Sequence, residues 1–447
     1  MADVLLTHSN HVYYDRKQTQ KMQPYPPLQT LLIAAILRQR GVDVALFDTS
    51  LNPPEEGFAA ALHHHNPRVV AVCEDSFNFL TKMCLLRNRE LAFWMAATAA
   101  QHGIPAAAHG PDAASHVSEY AEAGFELVVT GEAESVIPNW VLKRLRRPAA
   151  ELMTINGRGT LDKLPFPAWD LVDVEQYRDA WLQTHGHFAL NMVSSRGCPY
   201  RCNWCAEPAC GPPYDVRPAA AVAEEMRRLK FDLRADRIWF ADDIFGLSRK
   251  WALDFADEVE SRNARLPFKM QSRCDLMTRD TVAALRRAGC DEVWIGVESG
   301  SQRILDAMEK GIRVEQVYQA RENLRRHDIR ACYFLQFGYP GEEWDDIQQT
   351  LRLVRETQPD DIGVSVCYPM PGTKLYDTVA AELGAKSNWS DSADLAMMFR
   401  GTYSSEFYRA LARALHMEVR REAGADAAWI EVHQLENCAT TVAAGVA

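Results

Sequence analysis

The chain has 447 residues, 47% hydrophobic and 24% charged, which is too long for one ordinary domain and fits a soluble globular protein. Its 49 Lys and Arg against 60 Asp and Glu leave a formal net charge of −11, which argues against a broad basic face for nucleic acid and leaves room only for a local basic pocket. No charged leader precedes an apolar core and no apolar run reaches about 18 residues, so a cytoplasmic protein without membrane span is expected, in which clustered cysteines bind metal rather than one another.

Residues 1–145 alternate short apolar strands with helical patterns. The stretches 3–9, 42–48, 68–74, 104–110 and 125–132 read as strands, and "LQTLLIAAILRQRG" reads as a helix stopped by Gly41. Such βα units predict an α/β, Rossmann-like, doubly wound parallel sheet. It lacks both the G-x-G-x-x-G fingerprint and the P-loop, so nucleotide binding does not follow. Ligands of such sheets sit beyond the carboxyl ends of the strands. Those ends here read Ser9-Asn10, Glu74-Asp75-Ser76, His109-Gly110 and Thr130-Gly131-Glu132.

Residues 146–187 are irregular, punctuated by Pro165 and Pro167, and read as an ordered linker. A second series fills 188–385, with strand patterns at 189–197, 237–245, 268–276, 292–300, 331–341 and 361–370 separated by helices. It predicts a partial (β/α)6 barrel of the TIM type, whose chemistry belongs at the strand ends. Residues 386–447 read as mainly helical, with "TTVAAGVA" as a frayed tail. Tyr403, Phe407, Tyr408 and Met417 form a stripe there, which suits ordinary helix core as well as a substrate-facing surface.

The segment "SSRGCPYRCNWCAEP" (194–208) carries Cys198, Cys202 and Cys205 directly after the first barrel strand. Gly197, Pro199 and Pro208 make it a loop, not a packed strand. Three thiolates on one short loop suit three irons of a [4Fe–4S] cluster, with a fourth iron open to a small chelating ligand. A zinc site completed by Cys210 is the competing arrangement.

The C-x3-C-x-aromatic-C loop resembles that of the radical S-adenosylmethionine (SAM) enzymes. "FADDIF" (240–245), "GVESGSQRILDAMEKG" (296–311), "FGYPGE" (337–342) and "YPMPGTKLYD" (368–377) resemble the strand-end motifs of the subgroup with an N-terminal cobalamin-binding domain. The resemblance implies that Cys198, Cys202 and Cys205 ligate the cluster and that the amino and carboxylate groups of SAM chelate the open iron. It implies Trp204 near the adenine, Asp242 and Asp243 toward the SAM ammonium, Arg273 toward its carboxylate and Glu298 toward the ribose or amine. Gln336 and Tyr368 complete the implied SAM contacts. A helix cap for either aspartate and a structural salt bridge for Arg273 are the plainer readings of the same residues.

The same resemblance assigns cobalamin to the first domain. "YPPLQTLLIAAILRQRG" (25–41) is similar to the loop and helix that support it, while "HGPD" and "GEAE" stand where the family has Gly-Gly-Pro-His and Gly-Glu-Gly-Glu. The D-x-H-x-x-G motif of a lower axial histidine is absent; His63, His64 and His65 read as a solvated helix end, and His8 and His11 as nearby contacts. The implied reaction is reductive cleavage of SAM to a 5′-deoxyadenosyl radical, with an external flavodoxin or ferredoxin as electron donor. Methylation of an unactivated carbon of a small molecule through methylcobalamin follows. A non-methylating rearrangement, cyclisation or oxidation uses the same motifs. A methylthiotransferase would want three cysteines in the first domain, where only Cys73 and Cys84 occur. From another class, a non-catalytic iron–sulfur or cobalamin-binding regulator would retain the cysteines without cleaving SAM.

Overall fold

The computed structural model describes residues 1–78, 81–146, 153–157, 160–206, 213–384, 386 and 388–444. Two six-stranded sheets organise them. The first has the order β2-β1-β3-β4-β5-β6, with β1 Val4–Thr7, β2 Val44–Phe47, β3 Val69–Cys73, β4 Ala106–His109, β5 Leu127–Val129 and β6 Met153–Ile155. Every pairing in it is parallel. The order reverses at β1, the doubly wound arrangement that leaves a crevice outside the strand carboxyl ends.

Side-chain alternation explains why this sheet is covered on both faces. Val4, Leu6, Val69, Ala71 and Cys73 face one core with Ile33, Leu37, Ile137 and Trp140 from helices Leu28–Gln39 and Ala133–Arg146. Leu5, Val70 and Val72 face the other with Phe58, Leu62, Met95 and Ala99 from helices Pro54–His65 and Leu86–Gln101. Successive residues thus bury into opposite layers, the pattern of a sheet sandwiched by helices. Each fully buried Val or Leu contributes about 1.5–3 kcal/mol relative to exposure.

Five strands were expected in this sheet. The sixth, β6, comes from the stretch read as a linker, which also contains helix Val174–His185, capped by the Asp173 side chain and closed by Gly186. The helix Pro54–His65 ends in the three histidines, with Asn66 as its left-handed cap.

The second sheet has the order β14-β13-β12-β11-β10-β7, with β7 Ala189–Met192, β10 Arg237–Phe240, β11 Phe268–Ser272, β12 Cys290–Glu298, β13 Arg330–Phe337 and β14 Asp361–Val366. Strands β7 and β10 pair in parallel, as do β11 through β14. The sequential order is that of a (β/α) barrel left open between its first and last strands. A short antiparallel pair, β8 Ser195–Arg196 and β9 Asp215–Val216, follows β7. The chain ends in helices Ser405–Val419 and Ala425–Ala444; the latter runs through most of the segment expected to fray, and 445–447 lie outside the described residues. Among the described residues no helix is long and apolar enough to cross a membrane.

The chain forms two compact units, each discontinuous in sequence. One comprises Met1–Cys198, Cys210–Asp243 and Asn388–Asp394; the other comprises Pro199–Ala209, Ile244–Ser387 and Leu395–Ala447.

One turn in the second unit tests the backbone geometry. Helix Arg279–Ala288 ends at Gly289, whose φ is +114°, and a Cβ there would lie 2.1 Å from the Leu266 carbonyl oxygen. Both the left-handed backbone and the close approach require glycine. Gly289→Ala is expected to destabilise by more than about 1 kcal/mol, read as a lower midpoint in denaturant unfolding.

Candidate active site

The second unit holds the later part of the cysteine loop. None of Cys198, Cys202 and Cys205 is in a disulfide; Cys202 is buried and the other two are half-buried. Among the described residues no three His, Cys, Asp or Glu side chains converge on a single metal-ion position, and Cys210 lies outside the described residues.

Asn203 anchors the loop. Its backbone N–H donates to Met308 O at 3.1 Å, its Nδ2 donates to Ala307 O at 2.7 Å, and its own carbonyl accepts from Leu375 N at 3.0 Å. The Tyr339 hydroxyl lies 3.1 Å from Asn203 Oδ1 and 2.8 Å from Ala307 O. Segments 296–311, 337–342 and 368–377, widely separated in sequence, therefore meet at one residue between two cysteines.

Beside it lies a buried ion pair. Lys310 Nζ is 2.7 Å from Glu298 Oε1, both side chains being less than a tenth exposed. Glu298 is a non-glycine residue at φ +64°, just past a register shift between Gly296 and Glu298 in the β12–β13 pairing. The bulge turns the carboxylate back over Gly296, where a Cβ would meet Glu298 Oε1 and Lys310 Nζ, each at 2.8 Å. Burial disfavours the Lys310 charge, but Glu298 and the Cys202 thiol more than offset that and hold its pKa above the ordinary value. Burial likewise pushes the Cys202 thiol up, against the pull of Lys310. Lys310 Nζ also lies 5.9 Å from the centre of the Trp204 ring.

Arg273 is fully engaged. Its Nε and Nη2 donate to Asp275 at 2.9 and 3.2 Å, Nη1 donates to Lys310 O at 2.9 Å, and the guanidinium covers the Tyr200 ring at 3.6 Å. It fixes the loop that presents Lys310. Trp204 Nε1 and Gln336 Oε1 are buried without a hydrogen-bond partner, and Tyr368 is buried. The orphaned Trp204 N–H near a buried ammonium, and the orphaned Gln336 oxygen, fit a polar, nucleoside-bearing ligand such as SAM, and thiol side chains are the ligand type of an iron–sulfur cluster.

In the first unit, Asp242 is wholly buried and accepts from Ser194 N at 3.0 Å, Ser194 Oγ at 2.5 Å and Ser195 Oγ at 2.6 Å; burial pushes it up to about 6 despite these bonds. Asp243 pairs with Lys82 and accepts from Gly197 N at 3.0 Å. The two aspartates thus shape the start of the cysteine loop.

The carboxyl edge of the first sheet gathers the other expected contacts. Ser9 donates to Glu74 through its N–H and its hydroxyl, Asn10 N donates to His8 Nδ1 at 3.3 Å, and Asp75 accepts from Leu28 N at 3.2 Å and Phe77 N at 3.0 Å. Burial pushes Asp75 up to about 6. Ser76 donates to Gln29, Thr130 N to Ile155 O, and His109 Nε2 to Gly131 O at 3.0 Å. Gly110 packs so tightly on Glu74 that a Cβ would lie 2.5 Å from it. Glu132 pairs with Arg196 at 2.9 Å. His8 is held by Asp48 at 2.9 Å and His11 by Thr49 O at 2.7 Å. Glu74 Oε2 and His109 Nδ1 stay buried without partners, and burial holds His109 neutral, its pKa down at about 4. Two orphaned polar atoms on this edge fit a large polar cofactor such as cobalamin.

Three residues of this arrangement are absent from the sequence-derived set: Lys310, Arg196 and Lys82. The first two left a signal, since Lys310 closes the motif that begins at Gly296 and Arg196 directly precedes Gly197-Cys198.

Residues 192–354 match the radical SAM superfamily. The chain is 26% identical over 231 residues to an uncharacterized methyltransferase of Pyrococcus horikoshii, covering 51% of this chain and 49% of that one. It is 23% identical to the hopanoid C-3 methylase of Methylococcus capsulatus (89% and 77% covered) and 25% identical to the anaerobic magnesium-protoporphyrin IX monomethyl ester cyclase of Rubrivivax gelatinosus (51% and 40%). For the first and last of these, the chain spans about half or less of the relative's length. Two solved structures share the fold. One is the cobalamin-dependent SAM radical enzyme OxsB with aqua-cobalamin and SAM, at TM-score 0.71, 15% identity and 94% and 67% coverage. The other is the radical SAM methyltransferase TsrM of Kitasatospora setae with tryptophan and aza-SAM, at TM-score 0.69, 18% identity and 85% and 76% coverage. Residues 192–354 thus carry the radical SAM match, and the chain as a whole shares the fold of these two structures. More particularly, the Rossmann-like sheet, the barrel-type sheet and the helical region are the fold elements that OxsB and TsrM share with this chain.

The site generates two predictions. Lys310→Met leaves the Glu298 carboxylate buried without its cation and is expected to cost about 3–5 kcal/mol, whereas Glu298→Gln/Lys310→Met recovers most of that in urea unfolding. The second concerns Glu342, which is fully buried, accepts from Gly338 N at 2.6 Å and keeps Oε1 without a partner; burial pushes it from 4.5 up to about 8. The folded state therefore holds a proton that the unfolded state has lost between those values, and stability falls as pH rises through that window. The thermal midpoint of Glu342→Gln is expected to fall less than that of the parent protein between pH 6 and pH 8.

Proposed function

We propose that the protein is a cobalamin-dependent radical SAM enzyme that removes a hydrogen atom from an unactivated carbon of a small molecule. The observation that carries this reading is the convergence of three motif segments and the buried Lys310 on the loop of Cys198, Cys202 and Cys205. When bound, the cluster and SAM supply a 5′-deoxyadenosyl radical, and cobalamin supplies a methyl-carrying or redox-active cobalt.

The chain's own residues bind, orient and exclude water. The three thiolates hold the cluster, and Asn203 fixes the spacing between two of them. Lys310 is the cation for the SAM carboxylate, a charge-assisted contact, with Glu298 holding it in place and accepting from the SAM amine or ribose. Trp204 lies against the adenine, and Gln336 and Tyr368 supply polar contacts to the nucleoside. Arg273 presents the Lys310 segment. At the first sheet, the Glu74 and His109 edge, with Ser9, Asn10, Asp75, Ser76, Gly110, Thr130, Gly131 and Glu132, holds the corrin side chains. Electrons come from a flavodoxin or ferredoxin.

Two outcomes are open to the substrate radical. The likeness to the hopanoid methylase across 89% of this chain supports C-methylation, and the likeness to the cyclase supports rearrangement, cyclisation or oxidation without methyl transfer. Hydrogen abstraction from the substrate precedes either outcome in this proposal.

Anaerobic reconstitution with iron, sulfide and hydroxocobalamin is expected to give about four irons and one cobalt per chain. With SAM and a reductant the protein should form 5′-deoxyadenosine, and Cys202→Ala should form none. S-adenosylhomocysteine accumulating with 5′-deoxyadenosine marks methyl transfer; 5′-deoxyadenosine alone marks the non-methylating outcome. Zinc in place of iron, with SAM intact, would remove the proposal.

A further inference from the structure

Arg196 lies two residues before Cys198 and is buried, yet it has no part in holding SAM or cobalamin as described above. Its Nη1 is 2.9 Å from Glu132 Oε1, its Nη2 pairs with Glu134, and its guanidinium covers the Phe77 ring at 4.6 Å. Glu132 and Glu134 leave the carboxyl end of β5 at the start of helix Ala133–Arg146, and Phe77 belongs to the loop after β3. Gln29 extends the chain of contacts: its Nε2 donates to Glu134 at 3.4 Å and its Oε1 accepts from Ser76 N at 2.9 Å. The main chain of Arg196 is fixed as well, since β8 pairs with β9 through Arg196 and Asp215.

One guanidinium thus joins the residues that open the cysteine loop to two separate loops of the first sheet's carboxyl edge, which Gln29 also ties to each other through Glu134 and Ser76. All three charged side chains are less than a tenth exposed, and the trio keeps two carboxylates against one cation. Such a buried network cannot relax at one end without leaving a charge unpaired at the other. A ligand that presses on the Glu132 or Ser76 side therefore acts on the position of Arg196, and through two peptide units on Cys198.

We propose that Arg196 is a positioning residue that couples the edge of the first sheet to the cysteine loop, so that cluster assembly and cobalamin binding alter one another's affinity. The inference rests on the proposed cofactors, but it concerns the linkage between them, which neither the fold nor the named relatives supply. Linkage is reciprocal: whatever factor the cluster imposes on cobalamin affinity, cobalamin imposes on cluster affinity.

The test uses the full chain. Hydroxocobalamin affinity is measured by anaerobic equilibrium dialysis for the cluster-free and the reconstituted protein, in the parent and in Arg196→Lys, Arg196→Met and Glu134→Gln. The electron paramagnetic resonance spectrum of the reduced cluster is recorded with and without hydroxocobalamin. In the parent the two dissociation constants are expected to differ on the order of tenfold, and the spectrum to change when hydroxocobalamin is added. In Arg196→Met the two constants should become equal and the spectrum should stop responding, with Arg196→Lys retaining part of both effects. Glu134→Gln keeps the Arg196–Glu132 pair and is read in place of Arg196→Met should that variant fail to fold; it should narrow the difference between the constants. Equal constants in the parent would overturn the proposal, as would the full difference persisting in Arg196→Met or, in its place, Glu134→Gln. A parent protein that binds no hydroxocobalamin in either form would overturn the cofactor assignment itself, a result distinct from binding without coupling.

Discussion

The hydrogen bonds around Asn203 are the constraint on which the barrel site depends. A loop of three thiols has no structure of its own, and Gly197 and Pro199 at its start deny it helix or strand. Asn203 spends its backbone N–H, its carbonyl and both ends of its side chain on partners at 307–308, 339 and 375. None of those partners is near it in sequence, so the loop takes its shape only once the ends of β12, β13 and β14 are in place. This is preorganisation in its plainest form: side chains on a loop, held by groups at the ends of strands.

Electrostatics then distribute the charges. In the second unit a cation, Lys310, is buried against Glu298 beside Cys202; burial holds the thiol's pKa up, and Lys310 pulls against it. In the first unit the buried carboxylates Asp242 and Asp75 instead accept hydrogen bonds from hydroxyls and backbone N–H groups. Those bonds reduce but do not cancel the penalty of burial, which leaves both groups pushed up to about 6.

Much of the architecture could be read from the residues. Continuous apolar runs such as Val69–Cys73 announce parallel strands buried on both faces, and all six barrel strands stand where the pattern puts them. Strand β6 escaped because Met-Thr-Ile is three residues long on an edge, with two of its side chains exposed, so no apolar run marks it. Helix Val174–His185 did carry a signal, an Asp173 cap and a Gly186 stop, hidden inside a stretch punctuated by prolines. The candidate site was legible as a set of strand ends, because parallel sheets deliver their loops to one edge. The partners within it were not: Arg196 finds carboxylates 62 and 64 residues away, and Arg273 is taken up by its neighbour Asp275, so neither pairing follows from spacing.

Glu298 shows why one such pairing lies beyond sequence periodicity. Strand alternation alone assigns its side chain to a face, but the register shift after Gly296 breaks that alternation and the left-handed backbone at φ +64° turns the carboxylate elsewhere. A non-glycine residue in that region costs on the order of 1–3 kcal/mol and persists only where its surroundings over-determine it. Here they do: the carboxylate is held by Lys310, and Gly296 leaves the space that any side chain would fill. Gly296, Glu298 and Lys310 are therefore one device, with the missing Cβ of the first admitting the ion pair of the other two. The bulge thus sets a buried carboxylate and ammonium beside Cys202, and the ion pair in turn holds Glu298 in its strained backbone.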